Sequence, residues 1–127
     1  MSYFWVALGS ALGGMARYGC NGLAARLFGA SFPWGTLIVN VSGSLLIGVL
    51  AALLAPENRL FGHPDARAFL AVGVLGGFTT FSSFSLETLN LARSGEWLAA
   101  AANAVASLAL CLAAVWLGHV LGTALQR

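Results

Sequence analysis

Hydrophobic residues run along the sequence in four long stretches that are separated by short polar segments. Each stretch reaches the roughly 20 apolar residues that a helix needs to cross a bilayer. Aromatic residues lie near the ends of the stretches, as they do at membrane interfaces: Tyr3, Trp5, Trp34 and Trp97. We therefore predict an all-α membrane protein, one domain over residues 1–127, with four transmembrane helices at about residues 3–27, 34–54, 69–91 and 97–125.

Composition supports this fold class. Hydrophobic residues make up 59% of the chain, charged residues 8%, and the mean hydropathy is +0.86, far outside the range of soluble proteins. The net charge of +2 has no basic run behind it, so no nucleic-acid partner is indicated. The sequence also has no nucleophile beside a base, metal-ligand cluster or phosphate-binding loop, so an enzyme is not expected. The first stretch lacks signal-peptide features, and we expect it to be retained.

The third stretch is unusual because glycine, threonine, serine and phenylalanine are concentrated between Gly73 and Ser85. The pairs Gly76-Gly77 and Thr79-Thr80 both weaken a helix. Irregular backbone at membrane depth is tolerated only where protein buries it or a watery cavity meets it. We predict that the third helix is broken at Gly76–Thr80, at a functional site.

Polar residues also recur at helical spacing within the other stretches. The second stretch carries Thr36, Asn40, Ser44 and Gly48, and the fourth carries Asn103, Ser107 and Cys111. The third stretch adds Thr79, Thr80, Ser82, Ser83 and Ser85. Buried polar groups are expensive in a membrane, so together they predict a narrow polar path. Interhelical hydrogen bonding is the alternative for any single hydroxyl, whereas the depth of Asn40 favours a functional role.

The chemistry of this path favours an anion. Hydroxyl and amide donors can replace the hydration shell of a small anion, and the ring edges of Phe81 and Phe84 carry partial positive charge. Packing is the alternative for this pair of rings. Glu87, toward the end of the third stretch, is the one acidic residue inside a stretch, and we interpret it as a residue that caps the third helix or pairs with another group. Arg17 either forms an ion pair or attracts anions in a vestibule. The carbonyls that a break at Gly76–Thr79 frees can hold a hard cation such as sodium.

Arginines are distributed almost evenly between the two sides of the predicted bundle. Arg59, Arg67 and Arg127 fall on one side of the membrane. Arg26 and Arg93 fall on the other side, together with Arg17 if the long first helix leaves the bilayer early. The positive-inside rule then has little to act on. We predict insertion in both orientations and an antiparallel homodimer, in which two breaks would supply about twice the carbonyl ligands of one. Close helix contacts are expected at three small-residue pairs: Gly9 and Gly13, Gly73 and Gly77, Gly118 and Gly122.

Three segments of the sequence resemble the bacterial Fluc (CrcB) fluoride channels. These are Gly13-Gly14-x-x-Arg17-Tyr18, the segment from Pro33-Trp34-Gly35-Thr36 to Asn40-x-x-Gly43, and the run from Gly76-Gly77-Phe78-Thr79-Thr80 to Glu87-Thr88. The resemblance covers nearly the whole chain. It implies a dual-topology homodimer in the bacterial inner membrane, with two antiparallel fluoride pores and a structural sodium ion at the dimer centre.

The resemblance also implies roles for individual residues. Gly76 and Thr79 would hold sodium through their backbone carbonyls, and Phe81 and Phe84 would line the pore with Asn40 and Ser107. Thr36 and Glu87 would be polar pore-associated residues, and Arg17 the vestibule arginine. Thr80, Ser83 and Asn103 complete the predicted polar path. The chain departs from some members of the family at Asn103 and Cys111, where those members have Tyr and Ser.

Two other functions fit a small membrane protein with this organisation. A proton-coupled multidrug transporter of the four-helix, dual-topology kind needs a carboxylate in its first helix, and the first stretch has none. A non-transporting assembly subunit would use the polar residues for packing alone. The sequence therefore favours a passive fluoride channel that exports the ion and protects the cytoplasm.

Overall fold

A computed structural model describes residues 1–58 and 62–127, and the described part is helical and contains no strands. Arg59, which entered the comparison of arginines on the two sides, lies outside the described residues. Helix α1 spans Ser2–Phe28 and helix α2 spans Trp34–Leu53. A third helical region contains α3 (Pro64–Arg67), a π-helical segment (Ala68–Leu75), α4 (Gly76–Phe78) and α5 (Phe81–Arg93). Helix α6 spans Trp97–Leu125.

Three helical regions of the described chain are long and apolar enough to cross a membrane: Trp34–Leu53, Pro64–Arg93 and Trp97–Leu125. Helix α1 is 27 residues long but interrupts its apolar surface with Arg17 and Arg26. Three membrane-compatible regions make this a multi-pass membrane protein.

The helical backbone of the third region stops at Phe78 and resumes at Phe81. Thr79 and Thr80 between them are extended, with φ and ψ of −86° and 158° for Thr79 and −155° and 126° for Thr80. Gly76 and Gly77, in contrast, remain helical. The Thr80 hydroxyl accepts a hydrogen bond from the Ser83 N–H at 3.2 Å, so Thr80 is the N-cap that starts α5.

Glycines bring α1 against the first half of the third helical region, residues 64–78. A Cβ atom on Gly9 would lie 2.4 Å from the Phe69 carbonyl oxygen, and one on Gly13 would lie 2.0 Å from that of Val74. A Cβ atom on Gly77 would lie 2.6 Å from the Ser10 carbonyl oxygen. The backbones of these two elements are thus in direct contact, as small residues permit.

Helices α2 and α6 pack in the same manner. A Cβ atom on Gly118 would lie 2.0 Å from the Leu45 carbonyl oxygen, and one on Gly48 would lie 2.2 Å from that of Val115. A Cβ atom on Gly122 would lie 2.6 Å from the Val49 carbonyl oxygen. The close contacts predicted for the three small-residue pairs are therefore confirmed. These contacts hold α2 and α6 together, and the Thr79–Thr80 segment lies against α2 at Asn40 and Gly43.

Candidate functional site

The centre of the candidate site is an open groove of about 650 Å³ beside the Thr79–Thr80 segment. Its lining comes from helices α2, α5 and α6 and, in the third helical region, from Ala71, Leu75 and Gly76. Nine of the residues predicted from the sequence line it together: Asn40, Ser44, Gly76, Thr79, Thr80, Phe81, Phe84, Ser107 and Cys111. Asn40 and Ser107 are 67 positions apart in sequence, and both line this groove.

The amide of Asn40 is bonded at both ends to the backbone of Thr80. Its Nδ2 donates to the Thr80 carbonyl at 2.9 Å, and its Oδ1 accepts from the Thr80 N–H at 2.8 Å. Both backbone groups are ones that the interruption of the helix leaves without an intrahelical partner. One N–H of the Asn40 amide is not used by these two bonds, and Asn40 lines the groove. Asn40 thus holds the extended segment in place and has one donor left.

Gly43 allows Thr79 to pack against α2. A Cβ atom at Gly43 would lie 2.3 Å from the Thr79 Cγ2 atom. The Thr79 hydroxyl donates to the Leu75 carbonyl at 2.9 Å, and the Thr79 N–H donates to the same carbonyl at 3.0 Å. The hydroxyl and the N–H of Thr79 are therefore both bonded to the preceding helix. The Thr79 carbonyl is the polar group of this residue that these hydrogen bonds do not use.

Phe81 and Phe84 form one aromatic pair on the first turn of α5. Their ring centroids are 5.3 Å apart and their planes are tilted by 51°. Phe81 is 79% exposed in the isolated chain, and both rings line the groove. Tilted rings present C–H edges as well as faces to their surroundings, so the pair can offer partial positive charge to an anion beside the Asn40 amide.

Thr36 and Glu87 lie at a second cavity, of about 520 Å³, one turn of α2 away from Asn40. The Thr36 hydroxyl, on a residue that is 3% exposed, donates to Glu87 Oε1 at 2.8 Å. Glu87 Oε2 is buried and has no hydrogen-bond donor within residues 1–58 and 62–127. The predicted polar path is thus divided between two cavities that follow one another along the same face of α2.

Asn103 lies in the helix interface, where it is 1% exposed. Its Nδ2 donates to the Thr88 hydroxyl at 2.9 Å, and that hydroxyl donates to the Phe84 carbonyl at 2.7 Å. The Ser107 hydroxyl donates to Asn103 Oδ1 at 3.4 Å. Asn103 thus links α6 to α5 by a hydrogen bond, and it lines neither of the two cavities.

Arg17 contacts backbone. Its Nε donates to the Gly77 carbonyl at 3.0 Å, and within the described chain no carboxylate lies within ion-pair distance of it. Ser83 lines neither cavity, and its N–H is bonded to Thr80. Arg17, predicted as a vestibule or ion-pair residue, and Ser83 thus line neither of the two cavities.

Hard cations such as sodium prefer oxygen ligands, and the backbone carbonyls of Gly76 and Thr79 fit that preference. Gly76 is exposed at the groove, and within the described residues no hydrogen-bond donor reaches its carbonyl or that of Thr79. These two carbonyls are therefore candidate cation ligands, and no cluster of three or more His, Cys, Asp or Glu side chains is present in the described residues.

Sequence reasoning missed two residues that contribute to the site. Thr88 belongs to the run that resembles the family, but its role in joining α5 to Asn103 depends on α6. Asn21 lines the second cavity, and its Oδ1 is buried with no donor in the part of the chain that the structure describes. Its spacing of four residues from Arg17 on α1 was the signal that could have indicated it.

The fold and the site together define a class: a multi-pass helical membrane protein with a largely apolar groove that carries a few polar groups at an interrupted helix. Comparison with known proteins identifies the family. The family model described as CrcB-like protein, Camphor Resistance (CrcB), matches residues 4–119, and the chain belongs to this family. The resemblance found in the sequence is therefore confirmed.

Several relatives carry the name Fluoride-specific ion channel FluC. The one from Opitutus terrae is 56% identical over 124 residues, which cover 98% of this chain and 94% of the relative. The one from Rhodospirillum rubrum is 57% identical over 120 residues, covering 94% and 93%. The one from Methylocella silvestris is 51% identical over 127 residues, covering 100% and 97%.

Proposed function

We propose that this protein is a fluoride channel that lets the ion leave the bacterial cytoplasm passively across the inner membrane. The observation that carries the proposal is the groove in which the Asn40 amide, the Phe81 and Phe84 rings and the Ser107 hydroxyl meet. Relatives that match almost the whole chain at 51–57% identity are named for this activity. No enzymatic reaction is proposed, because the site offers donors and ring edges to an ion.

The proposed path runs along one face of α2, from the cavity at Thr36 and Glu87 to the groove at Asn40. The free N–H of Asn40 and the edges of Phe81 and Phe84 replace water around fluoride. Ser107 extends the polar lining toward α6. Fluoride is small and strongly hydrated, so a narrow bore with closely placed donors accepts it and leaves the larger chloride without adequate contacts.

We further propose that two copies pair in antiparallel orientation, each with four membrane-spanning helices and its own pore. Gly76 and the extended Thr79–Thr80 segment border an open groove in the single chain, with Phe81 79% exposed. Unpaired backbone at membrane depth needs a protein cover, and a second inverted copy provides one. The near balance of arginines between the two sides supports insertion in both orientations.

A structural sodium ion at the dimer centre belongs to this proposal. The carbonyls of Gly76 and Thr79 from each copy would hold it, since neither is used by a hydrogen bond among the described residues. When bound, the ion supplies fixed positive charge close to the anion path. This chain contributes the geometry, because Asn40 and Leu75 fix the backbone of Thr79 and Thr80 from two sides.

The experiment that tests the function is efflux from liposomes that contain the purified protein. Fluoride release is followed with a fluoride electrode, and chloride release is measured in parallel. We expect rapid fluoride efflux and chloride efflux no faster than from protein-free liposomes. Absence of fluoride efflux would instead favour a non-transporting subunit, and equal fluoride and chloride efflux would contradict the selectivity. Accessibility of tags at both termini tests the topology, and one fixed orientation for all copies would rule out the antiparallel pair.

A further inference from the structure

Arg17 reaches the end of the helical segment that precedes Thr79. The close packing of Gly13 against Val74 and of Gly77 against Ser10 aligns α1 with this segment. One turn beyond Gly13, the Arg17 side chain extends to the Gly77 carbonyl, to which its Nε donates at 3.0 Å. The contact joins residues 60 positions apart and is partly buried. Arg17 therefore caps the C-terminal end of a helix in the manner expected for a cation.

The carbonyl groups at this helix end are divided into two sets. Those of Leu75, Gly76 and Gly77 belong to helical residues and point toward the C-terminal end, where intrahelical donors run out, whereas Thr79 is extended. The Leu75 carbonyl is bonded twice by Thr79, and the Gly77 carbonyl is bonded by Arg17. The carbonyls of Gly76 and Thr79 accept no hydrogen bond within residues 1–58 and 62–127. Hydrogen bonds thus occupy the carbonyl oxygens of Leu75 and Gly77, whereas those of Gly76 and Thr79 stay available to a cation.

We propose that Arg17 is a positioning residue that sets which cation the site accepts, by withholding the Gly77 carbonyl. The inference rests on the proposed cation site at Gly76 and Thr79. Sodium is satisfied by few, closely placed oxygens, whereas sites that accept potassium present more carbonyls around a larger ion. With Gly77 occupied, the site has fewer oxygens and favours sodium over potassium. Releasing the Gly77 carbonyl adds one ligand from each copy and removes this preference.

Two substitutions separate the hydrogen bond from the charge. Arg17→Met removes both the donor and the charge while keeping an unbranched apolar stem. Arg17→Gln removes the charge but carries an amide nitrogen at the position along the side chain that the Arg17 Nε occupies, so the bond to Gly77 is kept. Arg26→Met is the matched control, because Arg26 lies in the last turn of the same helix and has no hydrogen bond in the described chain.

The readout is the unfolding temperature of each purified protein in sodium chloride and in potassium chloride at equal ionic strength. A bound ion stabilises the folded state by mass action, so we expect sodium to raise the wild-type Tm by roughly 5 °C relative to potassium. Arg17→Gln and Arg26→Met keep this difference. In Arg17→Met the sodium and potassium values agree within about 1 °C.

The outcomes distinguish the inference from the function on which it rests. A wild-type sodium preference that persists in Arg17→Met overturns the inference and leaves the cation site intact. Loss of the preference in Arg17→Gln also overturns it, because charge and not the withheld carbonyl would then decide the ion. If Arg17→Met does not fold, Arg17→Ala, which also removes the donor, takes its place: agreement of its sodium and potassium Tm values supports the inference, and a persisting difference overturns it. No sodium-dependent shift in the wild type removes the cation site itself, and fluoride efflux remains a separate measurement.

Discussion

Asn40 of α2 and Thr80 between α4 and α5 are joined by two reciprocal hydrogen bonds, of 2.9 and 2.8 Å. One side-chain amide thereby satisfies both polar groups of an extended residue inside a region apolar enough to cross a membrane. Because the unused N–H of the same amide remains available at the groove, the residue that fixes the backbone also contributes to the proposed ion path.

Asn40→Asp tests this double role. The carboxylate cannot donate to the Thr80 carbonyl, and its charge repels an anion at the groove. We expect fluoride efflux from liposomes to fall by on the order of 10- to 100-fold or more, with the dimer still assembled by size-exclusion chromatography. Ser42→Ala is the control, since its hydroxyl bonds only to its own helix at Ile38 and Val39. Unchanged efflux in Asn40→Asp would count against the role of Asn40.

Phe81→Ile removes the aromatic edge at the groove while keeping an apolar side chain of moderate size. We expect fluoride efflux to be lost, because the variant has no ring edge to offer at the groove, with the dimer still assembled by size-exclusion chromatography. Phe4→Ile is a matched control on α1, where the ring is 58% exposed and lies outside both cavities. Efflux equal to that of the Phe4 variant would show that the ring edges do not contact the ion.

Thr36→Val removes the donor to Glu87 Oε1 at nearly constant side-chain shape. Both oxygens of the carboxylate then lack a donor among the described residues. We expect a loss of stability of about 1–3 kcal/mol and slower fluoride efflux. Thr36→Ser keeps the hydroxyl and should retain both properties, as measured by thermal unfolding and the fluoride electrode. A Val variant as stable and active as the Ser variant would contradict this prediction.

Gly13→Ala and the adjacent Gly14→Ala test the packing of α1 against the third helical region. A Cβ atom on Gly13 would lie 2.0 Å from the Val74 carbonyl oxygen, whereas one on Gly14 meets no atom within 4 Å. We expect Gly13→Ala to lower the free energy of unfolding by about 1–3 kcal/mol. Gly14→Ala should be neutral or stabilising by up to about 1 kcal/mol, since alanine favours helix. Equal unfolding temperatures for the two variants would refute the close contact.

The sequence was most informative where one residue type or one short pattern decides the outcome. Apolar length predicted the three membrane-compatible regions of the described chain, since a helix has a fixed rise per residue and the bilayer a fixed thickness, but the first of the four predicted spans is not among them. Small residues predicted close contacts because any larger side chain at Gly13 or Gly118 would overlap a neighbouring backbone. The family followed from three short motifs, within each of which the residues are close together in sequence.

The tertiary structure decided how the polar residues divide. Periodicity placed Thr36 and Asn40 on one face, but it could not assign them to two cavities, since the positions of Glu87 and Thr80 depend on how α5 packs. Asn103 and Ser107 share a face of α6, yet Asn103 is held in the interface by Thr88. The bond from Arg17 to the Gly77 carbonyl joins distant segments and involves a backbone atom. Backbone acceptors are the same in every residue, so only the packed chain determines which of them a side chain reaches.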